Sequence, residues 1–342
     1  MSSERLRITI AGAGIFGLWQ ALTLARAGHH ISLLDRHPKP FAASASQYAG
    51  AMISPYCEAE SADPLINQFG LLAARLWRDQ YPGLVKAGSL VVAPPRDQNE
   101  LKRFARMTVG HETVTGENLA RLEPDLAPRF STGLFYPDEA HMTTPDALRS
   151  LLDMARAAGA QAHFGTALED HRKASAASLA PDVIIDCRGI AASDVLPNLR
   201  GVRGERLLVH APDVSLSRPV RLLHPRHPLY VVPWSEKRFL VGATLIESHD
   251  TSPMTVRSAL ELLGLAYALH PGFGEAGIVE LSAGVRPSFP DNVPRVLIDN
   301  KTASIHVNGA FRHGFLMAPL LAEIVCKHLA GTLASHPLVE NI

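Results

Sequence analysis

The chain has 342 residues, 46% of them hydrophobic and 19% charged, enough to bury a large core in one large domain or two. Lys plus Arg and Asp plus Glu number 33 each, so the formal net charge is zero and gives no electrostatic reason to seek nucleic acid or an acidic membrane surface. Cys57, Cys187 and Cys326 show neither paired nor metal-type spacing and read as reduced thiols. The opening MSSERLRITIAG has no signal-type apolar core, and no run of about 18 uncharged apolar residues is present to span a bilayer. A cytoplasmic α/β protein is expected.

Residues 8–11 (ITIA) predict a short strand, and Gly12, Gly14 and Gly17 then fit G-x-G-x-x-G. Leu18, Ala21, Leu22 and Ala25 recur at helical spacing until Gly28, and residues 30–34 predict a second strand ending at Asp35. Gly12 permits a tight turn, Gly14 lets the backbone approach a pyrophosphate, and Gly17 lets the helix pack closely on the strand. The helix start offers unpaired N–H groups to phosphates, and Asp35 is spaced to bind ribose hydroxyls. This is a dinucleotide site; by itself it does not separate NAD from FAD.

Residues 42–54 are small and irregular, as suits close backbone approach to a ligand. A helix is expected over 64–80, a strand over 89–93, and a helix from Thr144-Pro145 to Gly159. VIIDC at 183–187 reads as a buried parallel strand. RLLVHA, PLYVVPW and RFLVGAT, between 205 and 244, read as antiparallel sheet. A helix over 254–269, strands at 278–281, 296–298 and 304–307, and a last helix from 314 to 330 complete the pattern. Parallel-type segments thus flank an antiparallel block. The fold class expected is α/β: a discontinuous Rossmann-like nucleotide domain (1–80, 144–200 and 285–335) with an antiparallel-sheet substrate domain (81–143 and 201–284).

The stretch from 284 to 328 carries Gly284, Arg286, Pro287 and Asp291, then Gly309, Arg312, Gly314, Ala318 and Pro319 at the head of the last helix. With SQYAGAM at 46–52, GSLVVA at 88–93, LYVVPW at 229–234 and FLVGAT at 239–244, the chain resembles the D-amino-acid-oxidase-type FAD-dependent amine oxidases. Within that family it is most similar to the glycine oxidases of bacterial thiamine biosynthesis. The resemblance implies non-covalent FAD, since the 284–292 stretch lacks the cysteine that some members use for attachment.

It also implies FAD contacts from Gly12, Gly14, Ile15, Phe16, Gly17, Asp35, Arg36 and Ser44. Ala49, Gly50, Ala51, Met52, Ala167 and Gly189 follow, then Gly309, Ala310, Phe311, Arg312, His313, Gly314, Phe315 and Leu316. A helix starting at Gly314 would turn its positive end toward the pyrimidine edge of the flavin, where the reduced ring is anionic. Arg286 would hold a substrate carboxylate in two parallel hydrogen bonds, Tyr230 would help, Arg312 would add a second, backbone-placed contact, and Leu245 would border the substrate.

The implied activity is oxidative deamination of glycine or another small amino acid to a 2-oxo acid, ammonia and hydrogen peroxide. The partners are then a small amino acid and oxygen, without nucleic acid or membrane, and a homo-oligomer is left open. Three rivals remain: a D-amino-acid or sarcosine dehydrogenase using another acceptor, a tRNA-modifying module, and a flavin-binding protein without turnover. Departures from the family pattern fall at His313, where glycine oxidases carry a polar amide, at Trp234 in place of arginine, and at Arg188 in place of a small residue. The sixteen histidines show no metal-type spacing, HPRHP at 224–228 reads as a proline-broken turn, and no G-x-S-x-G supplies a nucleophile.

Overall fold

The computed structural model of the chain describes residues 5–169, 180–224 and 228–342. Part of the HPRHP stretch therefore lies outside the described residues. Two large sheets organise the molecule. The first has seven strands, with Arg7–Ala11 paired in parallel to His30–Asp35 on one side and to Val183–Asp186 on the other. All three strands are rich in Ile, Leu and Val because both faces of this sheet are covered. Helix Ile15–Arg26 packs against Thr144–Ala157 and against the last helix, Gly314–Leu329.

A tryptophan locks the helical layer. Pro319 sits within the last helix and has no N–H, so the carbonyl of Phe315 one turn earlier lacks its helical partner. The indole of Trp77, on helix Pro64–Gln80, donates to that carbonyl at 2.6 Å and meets Trp19 edge-on at 4.9 Å between centroids.

The second sheet has nine strands. Its spine is Arg200–His210, which pairs antiparallel with Arg238–Gly242 and, over its whole length, with Gly277–Ser288. Helix Val256–Leu269, capped by the Thr255 side chain, covers one face and buries Leu262, Ala266 and Leu269.

Three expectations are corrected. The strand foreseen at 278–281 runs on to Ser288 and carries Arg286 itself; the small Ala283 and Gly284 and the N–H-less Pro287 hid its extension. The first sheet is not wholly parallel, because Arg295–Asp299 and Ser304–Asn308 form an antiparallel hairpin at its edge. The second is not wholly antiparallel, because Ser89–Val92 runs parallel to Val220–Leu222. The chain crosses between the sheets after Val183–Asp186 and again after Ser288, and the cavity described next lies where they meet. Among the described residues no helix is long and apolar enough to cross a membrane, and no cluster of His, Cys, Asp or Glu is placed to hold a metal.

Candidate active site

A cavity of about 1400 Å³ runs from the glycine turn at the carboxyl end of the first strand to the inner face of the second sheet. That exceeds the roughly 300–1,000 Å³ of an ordinary small-molecule pocket, leaving room for a dinucleotide and a small substrate together. Gly12 has φ of +99°, and a Cβ there would lie 2.5 Å from the Cys187 carbonyl oxygen, so only glycine fits. The small-residue loop closes over the turn: Ser46 Oγ accepts from the Ile15 N–H at 3.0 Å, and a Cβ on Gly14 would stand 3.0 Å from Ser44 Oγ. Asp35 accepts from the Ala13 N–H at 3.1 Å and from the His37 N–H at 2.9 Å. Its carboxylate thus ties the turn to the second strand and keeps lone pairs for a ribose.

Of the residues expected at the cofactor, Gly12, Gly14, Ile15, Phe16, Asp35, Arg36, Ser44 and the 49–52 backbone line this cavity. So do Ala167, Gly189 and the whole run from Ala310 to Leu316. Gly17 and Gly309 are not among the lining residues. A Cβ at Gly17 would strike the Gly12 carbonyl oxygen, so its part is helix–strand packing; Gly309 has φ of +79° and abuts the Phe289 ring. Ala51 and Phe311 hold φ of +47° and +44° without being glycine. They are two of the seven non-glycine residues with positive φ among the described residues, and both line the cavity.

At the far end, Arg286 crosses bare backbone. A Cβ on Gly204 would fall on its guanidinium, so this glycine clears its space; Gly284, opposite Gly204 in the sheet, clears space for the Tyr48 ring. Arg286 Nη1 donates to the Thr244 carbonyl at 3.3 Å, and the Tyr230 phenol lies beside the guanidinium. The Tyr230 ring in turn packs on Gly50, 3.0 Å from where a Cβ would be. Leu245 borders the same space and is exposed.

Among the described residues Arg286 has no carboxylate partner, and this distinguishes it from its neighbours. Arg188 is held between Asp186, at 2.8 Å, and Asp194, at 3.0 Å, which accounts for an arginine where the family keeps a small residue. Arg312, expected to touch substrate, lines the cavity but places its guanidinium 3.2 Å from Glu58, which also takes Arg221 at 3.2 Å. Burial alone would push the Glu58 carboxyl up, yet Arg312, Arg221 and His313 together hold it at about 2. Glu58, Arg221, Tyr48, Arg206 and Thr244 were not picked out from the sequence. Only their placement against the cavity marks them.

His313 is buried beside Glu58, its Nδ1 3.5 Å from Oε2. Burial brings its imidazole down to about 4, aided by Arg312 and opposed by Glu58. It is therefore neutral at pH 7 and, like the amide it replaces, polar without charge. Buried His141 is lowered to about 4 as well, again by burial first. From about pH 6.5 downward the unfolded chain takes up protons at these two sites that the folded chain refuses until near pH 4. Stability should fall through that window, by on the order of 3 kcal/mol per histidine at most. Thermal unfolding of His313→Asn should lose less Tm across the window than wild type; an equal slope would count against the buried neutral imidazole.

Residues 7–328 match the model of the FAD dependent oxidoreductase family, and the chain belongs to that family. It is an FAD-dependent oxidoreductase of the glycine-oxidase type. It is 48% identical over 328 residues to a Rhizobium etli oxidoreductase named for thiamine biosynthesis (ThiO), covering 95% of this chain and 96% of that one. It is 24% identical over 375 residues to the glycine oxidase of Geobacillus kaustophilus, covering 99% and 98% of the two. The crystal structure of glycine oxidase from Geobacillus kaustophilus superposes with a TM-score of 0.80 over 98% of this chain and 97% of that one, at 22% identity, a likeness of fold.

Proposed function

We propose that this protein oxidises glycine or another small amino acid to the 2-oxo acid, ammonia and hydrogen peroxide, and that it serves thiamine biosynthesis as its Rhizobium relative is named for. The observation that carries the reading is Arg286: a guanidinium lining the cavity, beside Tyr230 and bonded to a carbonyl but, among the described residues, to no carboxylate. A cation so placed calls for an anionic ligand, and a planar carboxylate fits its fork.

FAD held by the glycine turn, Asp35 and the 310–316 run would supply the electron sink for oxidation at the amine's α-carbon, with oxygen as the final acceptor. The chain positions the partners. Arg286 and Tyr230 fix the carboxylate, which sets the direction of the α-C–H. The helix beginning at Gly314 turns its unpaired N–H groups and positive end into the cavity, where developing negative charge is stabilised. Neutral His313 adds no charge there. Gly12, Gly14, Ser46 and Asp35 form the dinucleotide end. Water entering after oxidation hydrolyses the imine, so one amino acid, one oxygen and one water give one 2-oxo acid, one ammonia and one peroxide.

FAD is held without a covalent bond: Cys57 and Cys187 are buried thiols whose pKa burial raises well above the usual range, and a protonated thiol is a poor nucleophile. We assign residues 1–80, 144–200 and 285–335 to cofactor binding and 81–143 with 201–284 to the substrate side. An oxygen electrode with coupled peroxide detection tests the activity: glycine or a small homologue should yield one peroxide per oxygen consumed. Flavin reduction without oxygen uptake would make the enzyme a dehydrogenase.

A further inference from the structure

Arg206 is a second arginine that lines the cavity with hydrogen-bonding capacity left open. It lies on the Arg200–His210 strand two residues beyond Gly204, so both project to the same face. Its side chain is only 4% exposed and donates from Nη2 to Glu280 Oε1 at 3.1 Å; Nε and Nη1 are buried with no hydrogen-bond partner among the described residues. Gly242 pairs with both Arg206 and Tyr230, and a Cβ on it would lie 3.3 Å from the Arg206 Cβ and 3.1 Å from the Tyr230 hydroxyl. The phenol that contacts Arg286 is therefore also the neighbour of Arg206.

Arg206 also borders a second pocket of about 490 Å³, and Tyr48, whose ring centre is 5.6 Å from the guanidinium carbon, shares this position between the two spaces. Trp234 lines the second pocket with its indole N–H buried and unpartnered, and Arg149 and Arg238 join Arg206 there against two carboxylates, Asp146 and Glu280. Arg149 pairs with Asp146, Arg238 with Glu236 and Arg206 with Glu280, so the donors left without a partner at this wall are the Trp234 indole N–H and Arg206 Nε and Nη1. Arginine and tryptophan side chains offer no acceptor, so a group that completes them must bring acceptors alone. A carboxylate does so, and it adds the charge that strengthens each bond.

We propose that Arg206 is a second anion-binding residue of the substrate cavity, and that the enzyme takes amino acids bearing a second carboxylate, one at Arg286 and the other at Arg206. The proposal rests on the amino-acid oxidase reading and names its substrate class. The reaction at the α-carbon is unchanged; Arg206 sets which amines are held.

Two matched pairs test it: iminodiacetate against sarcosine, and D-aspartate against D-alanine. The wild-type holoenzyme should favour the dicarboxylic member of at least one pair in kcat/KM. R206M should lower that member's kcat/KM about thirtyfold more than its partner's, as loss of a charge-assisted bond implies. R206K should recover part of the difference. Independently of turnover, glutarate titrated into the oxidised holoenzyme should perturb the flavin's visible spectrum with a Kd about thirtyfold tighter than in R206M. Equal losses for both members of each pair, or a glutarate Kd that R206M leaves unmoved, would overturn the proposal and leave Arg206 a structural partner of Glu280. If no amine reduces the flavin, the oxidase reading fails, while the glutarate titration still decides whether Arg206 binds an anion.

Discussion

Arg286→Ala is expected to lower kcat/KM for amino acids by about 2–5 kcal/mol, roughly thirty- to several-thousand-fold. A carboxylate leaving water for a walled cavity must be paired, or its desolvation is not recovered. Arg286 has no carboxylate partner among the described residues, and three of its cavity neighbours could not take its place without breaking a pair: Arg312 and Arg221 are engaged with Glu58, and Arg188 with Asp186 and Asp194. Arg286→Lys should restore activity only partly, because an ammonium lacks the two-pronged geometry. FAD content should stay normal. An amine without a carboxylate should lose far less than glycine; steady-state kinetics on the two substrates make the comparison. Equal losses on both would assign Arg286 to the fold or the flavin.

Gly204→Ala should produce nearly the same defect without touching Arg286. The added Cβ falls on the guanidinium, which must leave the Thr244 carbonyl and the Tyr230 hydroxyl to make room. Gly204 has an ordinary strand conformation, so the sheet accepts alanine and the displaced anchor is the main cost. Misplacing such a group by about 1 Å costs on the order of a hundredfold in rate, and kcat/KM should fall by about that factor. Adding Gly204→Ala to Arg286→Ala should then cost little more, since both remove one interaction. Additive losses would show that Gly204 acts through the strand pairing.

The glycine turn, Asp35, the flanking strands and the last helix were legible in the sequence, because a turn, a cap and an apolar period are local signals. Arg286 and Tyr230 were legible only through motifs shared with a family, for nothing local marks a strand arginine as unpaired. The ion-pair set around Glu58 was not legible at all: its partners lie 163 and 254 residues away in the chain. Arg312 was expected to add a backbone-placed contact to the substrate, and the pairing of its guanidinium with Glu58 was not foreseen. The sheet directions were misread for the same reason. Arg295–Asp299 is a short apolar strand, and whether such a strand runs parallel or antiparallel depends on which partner it finds; Val220–Leu222, the parallel partner of Ser89–Val92, was not foreseen as a strand.

The central claim is that this cavity oxidises a carboxylate-anchored amine at the flavin. Anaerobic mixing of the FAD-loaded protein with glycine, sarcosine or a small D-amino acid, followed by the flavin's visible absorbance, tests it most directly. At least one of these amino acids should bleach the oxidised flavin in the wild-type protein, at a rate that saturates with substrate, and Arg286→Ala should slow the bleaching at low substrate by thirtyfold or more. Flavin that stays oxidised in the presence of them all, or that Arg286→Ala reduces as fast as wild type, would contradict the account.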